Sequence, residues 1–184
     1  MPQLVNQYNE PKTWSGGTTT ELFIYPEGAT YEDRNFKFRL STATVETNTS
    51  EFTPLKGIKR TLMVLHGQLK LKHEGQYEKE LSLLQKDQFD GGWNTSSEGI
   101  CVDFNLMCRG TTEGFVVGFS LKKKEKKVIS YTGELNFLYV HQGCIEVNRS
   151  TYYTGALIQM KKAGQFPLKA TEETVLVLIQ LKNL

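Results

Sequence analysis

The chain is poor in the residues that most metal, thiol and membrane chemistry needs. It has three histidines, His66, His73 and His141, and none is spaced i, i+2 or i, i+4 from another. Metal ligands usually converge from such pairs, so no metal site is expected. Its three cysteines, Cys101, Cys108 and Cys144, are odd in number and without paired spacing. That argues against a disulfide framework and for a reducing compartment. Cys101 and Cys108 have no histidine near them in sequence and read as small buried side chains rather than nucleophiles. The formal net charge is only +2, too small to imply nucleic acid or an acidic membrane surface as a partner. The longest apolar run, Val175 to Ile179, is far short of a membrane span. Met1 to Glu10 lacks the basic flank and apolar run of a signal peptide, and a cytoplasmic location is expected. Gly16-Gly17-Thr18-Thr19 lacks the spacing and the lysine of a phosphate loop and reads as a turn. No long segment repeats with helical period.

What remains is β-structure. Sixteen glycines against five prolines suit many tight turns between strands. Thr18 to Tyr25, Phe36 to Val45, Arg60 to His66, Gln68 to His73, Cys101 to Met107, Gly114 to Leu121 and Val175 to Leu181 all read as strands. Glu74 to Glu80 reads as a charged hairpin tip and Lys86 to Gly92 as turn-rich. Leu62-Met63-Val64-Leu65-His66-Gly67-Gln68-Leu69-Lys70-Leu71 partly repeats in Leu138-Tyr139-Val140-His141-Gln142-Gly143-Cys144-Ile145-Glu146-Val147. Each is an apolar strand, a glycine turn and a second alternating strand. An all-β barrel or sandwich in two related halves follows. Lys122-Lys123-Lys124-Glu125-Lys126-Lys127 is the best candidate linker between them. The expected organisation is residues 1–121 as the first half, 122–127 as a solvated connector and 128–184 as the second half. That second half is short for an independent barrel, so it is expected to borrow strands from the first or to pack tightly against it. Exposed strand edges make a homodimer one way of covering them.

Charge carried inside strands is the unusual feature. In Cys101 to Gly110, Val102, Phe104, Leu106 and Cys108 share one face, whereas Asp103 and Asn105 share the other with Cys101 and Met107. Arg39 and Ser41 share a face of the second strand; Arg60 interrupts the third and Glu21 the first. Either these faces are solvated, or they converge on a polar cavity. Converging, two guanidiniums, two carboxylates, Asn105 and Ser41 would make a pocket with Trp14 or Met107 as an apolar wall. Arginine binds carboxylate in a planar, two-pronged manner, and an acid beside an amide takes an N–H group at the far end. The set contains no evident base–nucleophile pair, so no catalytic residue is assigned. Binding is better supported than turnover.

Trp14-Ser15-Gly16-Gly17-Thr18-Thr19-Thr20-Glu21, Phe38-Arg39-Leu40-Ser41-Thr42-Ala43, Phe52 to Arg60 and Asp103 to Gly110 together resemble the HutD/Ves family. In order and spacing the four pieces cover roughly residues 10 to 110. The resemblance implies a bicupin: two related halves, each a double-stranded β-helix (cupin) barrel, without the histidine-rich metal motif of cupin enzymes and without a cofactor. It also implies a sensing or regulatory role in histidine utilisation, with urocanate, formiminoglutamate or formylglutamate as the ligand. All three carry a carboxylate and a nitrogen-bearing group. The Ves-like branch is linked to cold response instead. The alternatives are an isomerase or hydrolase on a related metabolite, with Asp103 or Glu21 as general base, and a protein-interaction module in which Arg39 and Arg60 face solvent.

Overall fold

The computed structural model describes residues 3–5 and 10–184, and among these it contains strands, turns and loops but no helix. No helix is therefore long and apolar enough to cross a membrane. In chain order the strands are β1 (Gln3–Leu4), β2 (Lys12–Trp14), β3 (Gly17–Tyr25), β4 (Phe38–Val45), β5 (Thr49–Glu51), β6 (Ile58–Gly67), β7 (Leu69–His73), β8 (Tyr77–Leu81), β9 (Lys86–Asp90), β10 (Thr95–Glu98), β11 (Cys101–Arg109), β12 (Glu113–Leu121), β13 (Lys126–Tyr131), β14 (Leu135–Gln142), β15 (Cys144–Val147), β16 (Ser150–Tyr153), β17 (Leu157–Lys161), β18 (Gly164–Ala170) and β19 (Thr174–Lys182).

The chain divides into two compact units between Thr112 and Glu113, with β1 joining the second. In the first unit a six-stranded sheet, ordered β2-β3-β4-β11-β6-β9, accompanies a four-stranded sheet, β5-β10-β7-β8. β11 lies at the centre of the larger sheet, paired antiparallel with β4 and β6. Its alternating pattern gives two buried faces: Phe104, Leu106 and Cys108 on one, Cys101, Asp103, Asn105 and Met107 on the other. Cys101 belongs to an apolar cluster with Val45, Leu62, Val64, Leu69, Leu71, Leu81 and Phe89. Met107 belongs to a separate cluster with Phe36, Leu55 and Ile58. The polar pair thus lies between two apolar plugs on one strand face.

The second unit repeats this wiring. Its larger sheet is β1-β17-β14-β19-β12 and its smaller one β13-β18-β15-β16. Strands β12 to β19 occupy the places of β4 to β11 in the same spatial order, which is the order expected of paired cupin barrels. The repeated sequence is the crossing from larger to smaller sheet, β6 to β7 and β14 to β15. Gly67 and Gly143 make that turn at φ +78° and +91°. A Cβ there would sit 2.4 Å from the carbonyl oxygen of Ile100 or of Glu173, so only glycine fits. Both β6 and β14 also carry a bulge just before the turn, at Leu65 and His141.

The structure departs from expectation in two places. The second unit begins at Glu113, not after a linker at 122–127: β12 pairs along its whole length with β19. Lys122 to Glu125 is a tight turn inside that unit, closed by the Glu125 amide on the Lys122 carbonyl at 3.0 Å. Lys126 and Lys127 then open β13, whose exposed edge tolerates their charge. Lys86 to Asp90 is a strand, not a turn, and pairs with β6. Its alternation is legible once seen: Asp87 and Phe89 are buried while Lys86, Gln88 and Asp90 are exposed.

Candidate ligand-binding pocket

A cavity of about 820 Å³ opens in the first unit, and Arg39, Ser41, Arg60, Asp103 and Asn105 all line it. So do Glu21, Trp14 and Met107, so every residue singled out in the sequence meets at one place. Strand register explains the convergence. Met107 is flanked by Arg39 on β4 and Arg60 on β6. One row along, Asn105 is flanked by Ser41 and Leu62, and in the next Asp103 is flanked by Ala43 and Val64. Glu21 stands beside Ser41 across β3 and β4, just before a bulge at Leu22. Trp14 on β2 is half-exposed at the mouth, its ring laid over Gly16, where a Cβ would come within 2.0 Å of it. Also at the mouth, Lys12 pairs with Glu32 at 2.8 Å, an exposed bridge of little energetic weight.

The two arginines differ. Arg39 is ion-paired: its Nε donates to Glu21 Oε2 at 2.7 Å and its Nη1 to Ser41 Oγ at 3.1 Å. Its guanidinium also lies 4.6 Å from the Tyr31 ring centre. Arg60 is held instead by aromatic faces, with Phe52 at 4.6 Å and Phe89 at 5.5 Å. Its Nε has no hydrogen-bond partner among the described residues. Asp103 Oδ1 and Asn105 Oδ1 share that condition. Each such buried, unmatched atom costs on the order of 1–3 kcal/mol, and one donor and two acceptors are left open on a single wall.

Burial shapes the titration. It pulls the Arg60 guanidinium down to about 10, with Tyr31 and Asp103 pulling back. It pushes the Asp103 carboxyl up to about 7, Arg60 drawing it down again. Cys101 and Cys108 are pushed up to about 12, chiefly by burial, and stay thiols. Cupin enzymes hold metal on clustered histidines, and the donors here do not fit one. The wall offers guanidiniums, hydroxyl and amide groups around one buried carboxylate and no histidine. Among the described residues no group of three or more His, Cys, Asp or Glu side chains is placed to hold an ion.

The HutD family model matches residues 6–182. The chain belongs to the HutD family. Among solved structures it is similar to a conserved Pseudomonas aeruginosa protein of unknown function, at 18% identity and TM-score 0.82 over 100% of both chains. HutD from Pseudomonas fluorescens matches at 20% identity and TM-score 0.74, over 99% of this chain and 98% of that one. A bacterial pirin from Escherichia coli, solved in complex with nickel(II), matches at 11% identity and TM-score 0.74 over 98% of each. These likenesses carry the cupin-type fold. No curated protein matches by sequence.

In this HutD-family chain the two barrels have diverged where the cavity lies. Matching register through the repeat, Arg39, Ser41, Asp103 and Asn105 correspond to Phe115, Val117, Leu176 and Leu178. Leu176 and Leu178 join a wholly apolar core with Leu138, Val140, Ile158 and Met160. At the Asp103 and Asn105 positions the second barrel has buried apolar core, whereas Phe115 and Val117, the counterparts of Arg39 and Ser41, are about half exposed; the first barrel has a polar cavity there.

Sequence reasoning missed the aromatic partners of the arginines, Tyr31 on Arg39 and Phe52 with Phe89 on Arg60, because such contacts leave no periodic mark: Tyr31 and Phe52 stand in loops and only Phe89 on a strand. It also missed His73. That ring is buried, with Nδ1 2.8 Å from Thr95 Oγ1 and Nε2 3.0 Å from Asp87 Oδ2. The Tyr77 hydroxyl and Lys79 Nζ donate to the same Asp87 carboxylate at 3.0 and 2.8 Å. Burial alone would raise Asp87; these donors more than offset it and hold the carboxyl below its ordinary value. With every partner satisfied, the cluster braces β7, β8, β9 and β10. The one faint signal in the sequence was Asp87 two residues before Phe89 in an alternating run.

Proposed function

We propose that the first barrel binds a small carboxylate-bearing metabolite and that the protein works as a cytoplasmic sensor or regulator in histidine utilisation. The observation that carries this reading is that Arg60, Asp103 and Asn105, each with a buried side-chain atom left without a hydrogen-bond partner, all line one cavity. Arg60 takes the carboxylate of the ligand, supported by the fixed Arg39 on the far side of Met107. Asp103 and Asn105 meet its nitrogen-bearing end. Urocanate, formiminoglutamate and formylglutamate each supply both kinds of group. Family membership supports the pathway, and the wall chemistry supports the ligand type.

A thermal-shift panel tests it, run in EDTA with those three metabolites, histidine and unrelated carboxylates. A ligand present at 100 times its dissociation constant adds about 2.7 kcal/mol. For a chain of this size that moves the melting temperature by about 5–10 °C. A selective shift that disappears in Arg60→Ala is expected. No shift from any carboxylate would refute the reading and favour an interaction module. Turnover of the bound metabolite, abolished in Asp103→Asn, would make it an enzyme with Asp103 as general base. The affinity of Asp103 for a proton near neutrality is what keeps that second reading open.

A further inference from the structure

Apart from two exposed rim carboxylates, the charges in the cavity pair off until two remain. Glu21 neutralises Arg39, and Glu32 neutralises Lys12 at the mouth. Glu10 and Glu51 also line the cavity but are exposed to water at its rim, and Tyr31 stands half-buried beside them. Inside are Arg60 and Asp103, each buried and neither engaged in an ion pair among the described residues. Asp103 Oδ1 has no hydrogen-bond partner among the described residues, and Arg60 is the cation that draws the carboxyl down. Its strand neighbours are Ala43 and Val64, and Asn105 Oδ1, another unmatched acceptor, is the next side chain on its own face.

A carboxylate seated on Arg60 cancels the one cation that attracts the Asp103 charge. An ionised Asp103 would then be a buried anion with no cation left to balance it, a costly arrangement in a water-poor wall. Resting on the carboxylate-binding reading above, we propose that the cavity takes up its anionic ligand together with one proton, which Asp103 carries, so that this carboxyl donates a hydrogen bond to the ligand. The proton comes from solvent: an ionised carboxylate plus a hydrogen ion becomes a carboxylic acid, with no other bond made or broken. The carboxyl is prepared for this because burial already holds it up to about 7 with Arg60 still unneutralised. The site is then selective for an anion that presents a neutral acceptor to Asp103. A zwitterion whose cationic end reaches Asp103 binds with no proton exchanged.

Calorimetric titration with formylglutamate and with the monoamide of glutarate, in phosphate and in Tris buffer at about pH 8, reads the proton directly from the difference in heats. Close to one proton taken up per ligand is expected. Affinity should fall about 10-fold per pH unit above the range in which Asp103 titrates. Asp103→Asn holds the uncharged form permanently, so its affinity should be independent of pH and its proton uptake zero. Tight binding to wild type with no proton uptake overturns the proposal and leaves the carboxylate reading intact. Uptake that persists in Asp103→Asn places the proton elsewhere and overturns it too. Loss of binding in a folded Asp103→Asn shows that the anion itself is needed and likewise overturns the proposal. Binding of neither probe to wild type removes the carboxylate reading and this inference with it.

Discussion

Replacing Arg60 with methionine should make the unliganded protein more stable while destroying its ligand response. Arg60 is only 6% exposed, and its Nε has no partner. Its guanidinium falls from 12.5 to about 10 because burial penalises the charge. At about 1.4 kcal/mol per pH unit, that is a native-state penalty of about 3 kcal/mol. The sign is that of a base lowered on folding: the penalty is present in full below about pH 10 and relieved only above it. Methionine keeps an unbranched stem between Phe52 and Phe89 and loses a cation–π contribution of about 1 kcal/mol. Asp103 also loses the cation that draws it down, and it answers by staying protonated rather than by becoming a stranded anion. The net expectation is a gain of about 1–2 kcal/mol, the size seen when buried ionic groups give way to apolar ones. Urea unfolding of the ligand-free protein at neutral pH measures it, and the melting shift with any carboxylate should vanish in the same variant. If Arg60→Met instead lost about 2 kcal/mol or more, Arg60 would have to be paired in the folded protein, and its Nε would not be open to a ligand.

Asp103→Asn tests the other end of the wall through pH. The Asp103 carboxyl is raised from 3.8 to about 7, so the native state holds a proton that the unfolded chain has already released. Wild-type stability should therefore fall between about pH 4 and 7 by on the order of 4 kcal/mol relative to the variant, then run parallel to it; unfolding curves at four pH values suffice, and parallel curves throughout would show that burial does not raise this carboxyl. The repeated turn gives a prediction independent of the site. Gly67→Ala and Gly143→Ala each force a Cβ to 2.4 Å from a carbonyl oxygen at positive φ, and each should cost at least about 2 kcal/mol. Gly110→Ala, at φ +67° with open space around it, should cost about 1 kcal/mol; equal losses at all three positions would show that the close approach does not matter.

How much was legible in the sequence depended on range. A period of two assigns faces, and so Asp103 with Asn105 and Arg39 with Ser41 could be grouped before any fold was known. The strand–glycine–strand repeat could be seen because a turn that excludes a Cβ leaves the same mark wherever it recurs. The charged run at Lys122 misled, because a hairpin turn and a linker between units share one composition. Lys86 to Asp90 misled for the opposite reason: Asp87 looks like a turn residue until His73, Tyr77 and Lys79 arrive from β7 and β8 to hold it.

Local alternation and turn chemistry therefore determined, from the sequence alone, that this chain is all β, that it is built twice, and which side chains share a strand face. Only the tertiary structure decided that those faces meet. Whether a buried polar atom is satisfied depends on strands far apart in the chain. Glu21, on β3, reaches Arg39, whereas no carboxylate among the described residues comes forward to pair with Arg60. Filling, too, is set by side chains that pack across a barrel rather than along a strand. Leucine and isoleucine close the second core, and guanidinium, carboxyl and amide groups, which cannot be packed against hydrocarbon without a partner, keep the first one open.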